Sequence, residues 1–162
     1  MKLHILKNTN EEAVVKVYTD ESSGEVIDIS LEDHLTLPNQ EYIPGVADIN
    51  EATTGDFATY TGSHAIITGI WWGAKDGKRV DIERIVDPVG PVLHNHYYFV
   101  GAGYHDYKSA GFADRIYANG DIRVTFAGGE GFCILRLSKH GWANKVQPEK
   151  YSIYDDETTS AS

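Results

Sequence analysis

Few residues in this chain combine type and spacing in a way that could do chemistry. The most suggestive group is His94-Asn95-His96, which would set two imidazoles on one face of a strand, a spacing that metal sites on β-barrels use. Further ligands would have to come from His64, His105 or Asp106. A cupin-like site would carry a glutamate shortly after the second histidine, and Tyr97-Tyr98-Phe99-Val100 stands there instead. The plainer expectation is a pair of polar strand or interface residues, with no metal. Asp81 and Glu83 share a strand face and evoke the carboxylate pair of a glycoside hydrolase. With Arg79 and Arg84 close by, alternating charge on an exposed strand is the simpler explanation. Gly101-Ala102-Gly103 has neither the third glycine nor the helix of a dinucleotide fingerprint, and no Gly-x-Ser-x-Gly or phosphate loop occurs. Cys133, the single cysteine, falls in an alternating strand and is expected to be a small buried hydrophobe. The expectation is a non-enzymatic protein with no catalytic residue, no cofactor and no metal.

The aromatic residues point elsewhere. Tyr97, Tyr98, Phe99, Tyr104, Tyr107, Phe112 and Tyr117 crowd one region with glycines among them. Tyrosine and glycine together make contact surface, for a protein neighbour or for stacking on sugar rings. Tyr97, Tyr98, Tyr104 and Tyr107 are therefore candidate interface residues, although several of the cluster could equally fill the end of a core.

The elements that must position these residues read almost wholly as strands. In residues 120–142, Ile122, Val124 and Phe126 alternate with Asp121, Arg123 and Thr125; after Ala127-Gly128-Gly129-Glu130-Gly131, Cys133, Leu135 and Leu137 alternate with Phe132, Ile134 and Arg136. Period two across a glycine turn predicts a β-hairpin. Residues 3–6 and 13–18 predict an N-terminal hairpin, and 25–30 a third strand. In 64–72, Ile66, Thr68, Ile70 and Trp72 form one stripe and Ile67, Gly69 and Trp71 the other. Asp76-Gly77 predicts a second hairpin, returning through Val80, Ile82, Arg84 and Val86. Residues 92–100 predict another strand, and 101–118 a glycine- and tyrosine-rich loop.

Between Leu31 and Ser63 no period is sustained, and prolines and glycines interrupt the chain repeatedly. Stretches of this length suit a binding arm, or a long connection with short strands at Glu41-Tyr42-Ile43 and Phe57-Ala58-Thr59-Tyr60. From Glu149 to Ser162 the composition turns polar and acidic, with Tyr151, Ile153 and Tyr154 offering an apolar anchor for a neighbouring chain. Eight or more short strands with almost no helix predict an all-β fold: a jelly-roll-like β-sandwich over residues 1–148, with an irregular arm at 31–63 and a polar tail at 149–162.

At 162 residues one domain can bury a genuine core. No apolar run approaches a membrane span, and the first residues lack the apolar stretch of a signal peptide, so no membrane is expected. The net charge of −10 is uneven. Residues 11–56 carry twelve acids against one base, Lys16, while 57–148 are close to balanced. No basic face for nucleic acid is concentrated anywhere. The acidic half suits either a solvated surface or docking on a basic partner.

Met1-Lys2-Leu3-His4-Ile5-Leu6-Lys7-Asn8 followed by Glu12-Ala13-Val14-Val15-Lys16-Val17 resembles small virion structural proteins of tailed phages, especially those of marine cyanobacteria. The ending is similar too: Gly120-Asp121-Ile122-Arg123-Val124-Thr125, a glycine turn, Cys133-Ile134-Leu135-Arg136-Leu137-Ser138-Lys139, then Gly141-Trp142. The resemblance covers the two ends; residues 32–63 are longer than in that pattern and the charged tail is extra. It implies a non-enzymatic virion component, foremost a capsid decoration or cement protein assembled in the host cytoplasm, present in many copies or as a homo-oligomer. Its partners would be the major capsid protein or other virion proteins. A tail, neck or baseplate accessory protein is the next expectation, and a carbohydrate-binding module using Tyr97–Tyr117 the alternative from another class.

Overall fold

Strand β2 (Glu12–Thr19) and strand β10 (Gly131–His140) hide every second residue, and their pairing forms the spine of the fold. Val15 lies opposite Leu135 and Val17 opposite Cys133, all fully buried. Taking such a branched side chain out of water is worth about 1.5–3 kcal/mol, so each alternating stripe commits its strand to a core-facing orientation. The computed structural model describes residues 2–44, 62–85, 93–107 and 118–145.

Around that spine two antiparallel sheets assemble. The five-stranded sheet runs β1–β2–β10–β5–β8, adding β1 (Leu3–Asn8), β5 (His64–Ala74) and β8 (Ala102–Asp106). The four-stranded sheet runs β3–β9–β6–β7, from β3 (Gly24–Ile29), β9 (Asp121–Ala127), β6 (Arg79–Ile85) and β7 (Leu93–Val100). Val15, Ile67, Ile70, Leu135 and Leu137 of the first sheet share one core with Val80, Ile82, Ile122, Val124 and Phe126 of the second. The protein is an all-β sandwich.

Neither predicted hairpin at the centre of the chain is a hairpin. β9 pairs with β3 and β6, whereas β10 pairs with β2 and β5, so Gly128–Glu130 carry the chain from one sheet to the other. Asp76-Gly77 does the same between β5 and β6. Its residues have the left-handed backbone that the dipeptide suggests, φ 50° and 72°. Residues 20–23 and Gly101 make the other two crossings, β2 to β3 and β7 to β8. All four crossings lie at one end of the sandwich, because the strand ends they join are in register: Thr19 and Ala74 with Gly131, and Gly24 and Arg79 with Ala127. Alternation reports that a strand has a buried face. It is equally satisfied by a partner beside it or by one across the core.

Strand β5 corrects another expectation. Ile67 lies opposite Leu137 and Gly69 opposite Arg136, leaving Thr68 as an extra residue, a β-bulge. The bulge shifts the phase, so Ala65 and Ile67 face inward before it and Ile70 and Trp72 after it. The stripe Ile66–Thr68–Ile70–Trp72 is therefore not one face. Residues 101–118, expected as a loop, begin with strand β8.

The expected arm at 31–63 is partly body. Ser30 caps a short helix, α1 (Leu31–Leu35), its side chain accepting from the Asp33 amide. Leu31 and Leu35 are fully buried. Strand β4 (Gln40–Glu41) pairs with β11 (Ala143–Asn144), confirming a strand near Glu41 only in two-residue form. Phe57–Tyr60 lie outside the described residues.

Two buried cations hold this end together. The Lys139 ammonium donates to Asn8 Oδ1 (2.7 Å), Thr9 O (3.0 Å), Gln40 Oε1 (2.9 Å) and Leu35 O. Arg84, on the same stripe as Val80 and Ile82, points inward with them and is 1% exposed. Its guanidinium donates to Gly120 O (2.8 Å), Ala118 O (3.2 Å) and Ala65 O, tying the turn before β9 to strand β5.

Candidate functional site

The expected aromatic cluster does not form one surface. Tyr97 and Phe99 on β7 stand opposite Ile82 and Val80, on the core side of the four-stranded sheet. Phe99 and Tyr107 pack against the core, and Trp72, Phe99, His105 and Tyr107 make a chain of ring contacts with neighbouring centroids 4.7–6.1 Å apart. Tyr98 lies on the outer face of the four-stranded sheet, with the Arg79 guanidinium 5.0 Å from its ring centroid. Tyr104 lies on the outer face of the other sheet, opposite Trp71. Phe112, Tyr117, Tyr151, Ile153 and Tyr154 lie outside the described residues.

The groups weighed for chemistry are also dispersed. His96 reaches Asp81, with Nε2 3.4 Å from Oδ2, while His105 stands among the rings beside Trp72 and His64 stacks on His140 at 5.2 Å. The side chain of His94 lies outside the described residues. Among the described residues no three histidines, cysteines or acids converge as metal ligands. Asp81 pairs with Arg79 (3.0 Å), and Asp28 with Arg123 (2.8 and 3.1 Å), a network of opposite charges on the outer face of the four-stranded sheet. Cys133 is fully buried, and burial pushes its thiol well up.

Two features of the folded chain offer binding surface. The first is the outer face of the five-stranded sheet. A cross-strand row runs Tyr104–Trp71–Ile134–Lys16–His4, with Phe132 opposite Tyr18 in the next row. Gly69 and Gly73 bracket Trp71. A Cβ on Gly69 would sit 3.2 Å from both Trp71 Cζ3 and Arg136 Cζ, and one on Gly73 only 2.4 Å from Phe132 Cε1. These glycines let the large side chains of β5 and β10 lie down along the sheet rather than stand out from it. Arg136 is held there by Thr68 Oγ1 (3.1 Å), Thr68 O (2.7 Å) and Asp106. The only sequence sign of this face was a tryptophan with glycines two residues away on each side. The bulge at Thr68 takes Ile67 off the stripe it would otherwise share with Gly69 and Trp71.

The second feature lies at the end opposite the four crossings. Ile43 and Ser63 bond each other twice, Ser63 N to Ile43 O at 2.8 Å and Ile43 N to Ser63 Oγ at 2.9 Å. Ile43 and Ser63, which flank residues 45–61 in sequence, are therefore held together. Lys145 N donates to Asn39 O (2.9 Å), which extends the antiparallel β4–β11 pair on the side away from Ile43. Trp142 locks the floor beneath: Nε1 donates to Thr36 Oγ1 (2.9 Å), and its ring meets Tyr42 edge-on at 6.0 Å. Desolvation is the largest influence on two groups near this end, raising the Asp121 carboxyl and lowering the His64 imidazolium.

No protein-family model matches the chain, and no curated protein matches it in sequence.

Proposed function

We propose that this chain is a non-enzymatic structural protein of a tailed-phage particle, a capsid decoration or cement protein that binds neighbouring major-capsid subunits. The observation that carries the reading is the one-sided charge of the chain, twelve acids against one base over residues 11–56 beside a nearly balanced 57–148. Residues 45–61 contain Asp48, Glu51 and Asp56 with no base, and 146–162 contain four acids and one lysine. Acidic segments suit attachment to a basic shell surface, and two of them on one chain reinforce each other when both engage. Burying surface across adjacent subunits then stabilises the shell by mass action.

We infer further that the sandwich is a jelly roll. Leaving aside β1 and the two-residue strands β4 and β11, the eight remaining strands, numbered one to eight along the chain, order as 1-8-3-6 in one sheet and 2-7-4-5 in the other. That order is what two interlocked Greek keys produce, an architecture used by viral shells and by lectins. The step from this architecture to a particle is an analogy of fold and supports the reading without carrying it.

Electron cryomicroscopy of the phage particle should find the chain in many symmetry-related copies, with residues 45–61 and 146–162 against the major capsid protein. A variant with 45–61 replaced by a short glycine–serine link between Pro44 and Gly62 should fold and fail to decorate. Absence of the chain from purified particles, or normal decoration by that variant, would overturn the proposal.

A further inference from the structure

We propose that the outer face of the five-stranded sheet is a glycan-binding platform, stacking a pyranose chain on Trp71, Tyr104 and Phe132 with Arg136 as the orienting hydrogen-bond donor. Particle attachment, proposed above for the acidic residues 45–61 and 146–162, does not call on these side chains.

Aromatic hot spots for protein partners project as knobs that fill pockets. Here the glycines do the opposite. Gly69 gives Trp71 and Arg136 the space above its Cα, and Gly73 gives Phe132 the space above its own. The outcome is that Trp71 and Phe132 lie low on adjacent strands, which are about 4.8 Å apart, with Tyr104 exposed on the strand beyond Trp71. Its rings are accessible: Tyr104 is 66% exposed and Phe132 38%, with Trp71 half-buried between them. The low-lying rings of Trp71 and Phe132 match the flat C–H faces of sugar rings, and exposed Tyr104 extends the aromatic surface.

The polar chemistry fits the same ligand. A sugar needs a few fixed hydrogen-bonding groups at the edge of the apolar platform to set its orientation. The Arg136 guanidinium lies beside the Trp71 ring, 5.8 Å from its centroid, and shares with that ring the space over Gly69. Nε and Nη2 are anchored on Thr68 and Asp106. Nη1 has no bond among the described residues, leaving a donor of fixed position at the platform's edge. Thr68 is the bulge residue, so the irregularity in β5 is what brings its carbonyl and hydroxyl to the arginine. Lys16 and His4 continue the row across β2 and β1 and add donors to an otherwise acidic protein.

The test uses the isolated full chain on an array carrying bacterial lipopolysaccharide O-chains and α- and β-linked glucans, followed by calorimetry with any soluble oligosaccharide that binds. We expect saturable binding. Trp71→Ala and Tyr104→Ala should each weaken it at least tenfold, and Arg136→Lys severalfold, while Tyr98→Ala on the opposite sheet leaves it unchanged. Thermal melts of each variant control for folding, and exposed Tyr104 keeps the test valid if Trp71→Ala unfolds. Binding to O-chains alone would mark a cell-surface ligand, and binding to glucans alone a storage or wall polysaccharide. No saturable binding to any spot, or binding unaltered by Tyr104→Ala, would overturn the proposal.

Discussion

The Lys139 ammonium sits 5.0 Å from the centroid of the Trp142 indole, capped on its other sides by oxygens of Asn8, Thr9, Leu35 and Gln40. Three residues apart on the chain, the two side chains clamp the same segment, residues 35–42, from within the core and from its rim. Among the described residues this buried cation has only neutral partners, so no opposite charge offsets its desolvation and its stability depends on the number of those partners.

Lys139→Met should therefore destabilise the protein by about 2–4 kcal/mol, since four oxygens lose their donor. Urea denaturation at neutral pH reads this. Burial lowers the Lys139 ammonium from 10.5 to about 8. Between those values the unfolded chain holds the proton and the folded chain has released it, so this group's contribution rises with pH from about 8 to 10.5. Subtracting the Lys139→Met profile from that of the wild type should isolate the rise.

His64 gives a change on the acid side. Its imidazolium is disfavoured in the fold, chiefly by burial, although the Gly62 carbonyl at 3.0 Å partly restores it. As pH falls below the ordinary 6.5, the unfolded chain protonates first and stability is lost. His64→Gln should flatten the acid limb of a melting-temperature profile between pH 7 and 5. An unchanged limb would mean that His64 is not responsible.

Two glycine substitutions should part company. Gly24 has φ 85°, and an added Cβ would lie 2.0 Å from the Phe126 carbonyl oxygen, which is backbone and cannot move aside. Gly24→Ala should cost about 3 kcal/mol or more. At Gly73 the obstacle is the Phe132 ring, which can swing away. Gly73→Ala should cost about 1 kcal/mol and lift Phe132 off the sheet. Paired denaturation curves compare them.

Truncation after Lys145 should leave stability within about 0.5 kcal/mol of the full chain, because the β4–β11 pair and the Lys145–Asn39 bond are retained. Calorimetric melting of the two chains measures it. A large loss would mean that the C-terminal segment is part of the folded body.

Much of this architecture was legible in the residues alone. Cys133, Leu135 and Leu137 announced a buried stripe, as did Ile122, Val124 and Phe126, and all six are core. Short strands with turn signals between them indicated an all-β sandwich, and Gly128 and Gly77 marked true reversals with positive φ. These features are local: alternation and backbone preference are properties of a few neighbouring residues, decided by sterics and by burial of one face. Which strand lies beside which is not local. Gly128–Glu130 and Asp76-Gly77 serve equally well inside a hairpin or between sheets, and only closure of the whole core selects the second. The inward turn of Arg84, the clamp on Lys139 and the separation of Tyr98 from Tyr104 follow from that choice. So does the Trp71 face, which exists because one extra residue at Thr68 rephases a strand paired with a partner 68 positions away. Sequence determined the stripes, and tertiary pairing decided what they face, since long-range contacts carry the energy that no local pattern records.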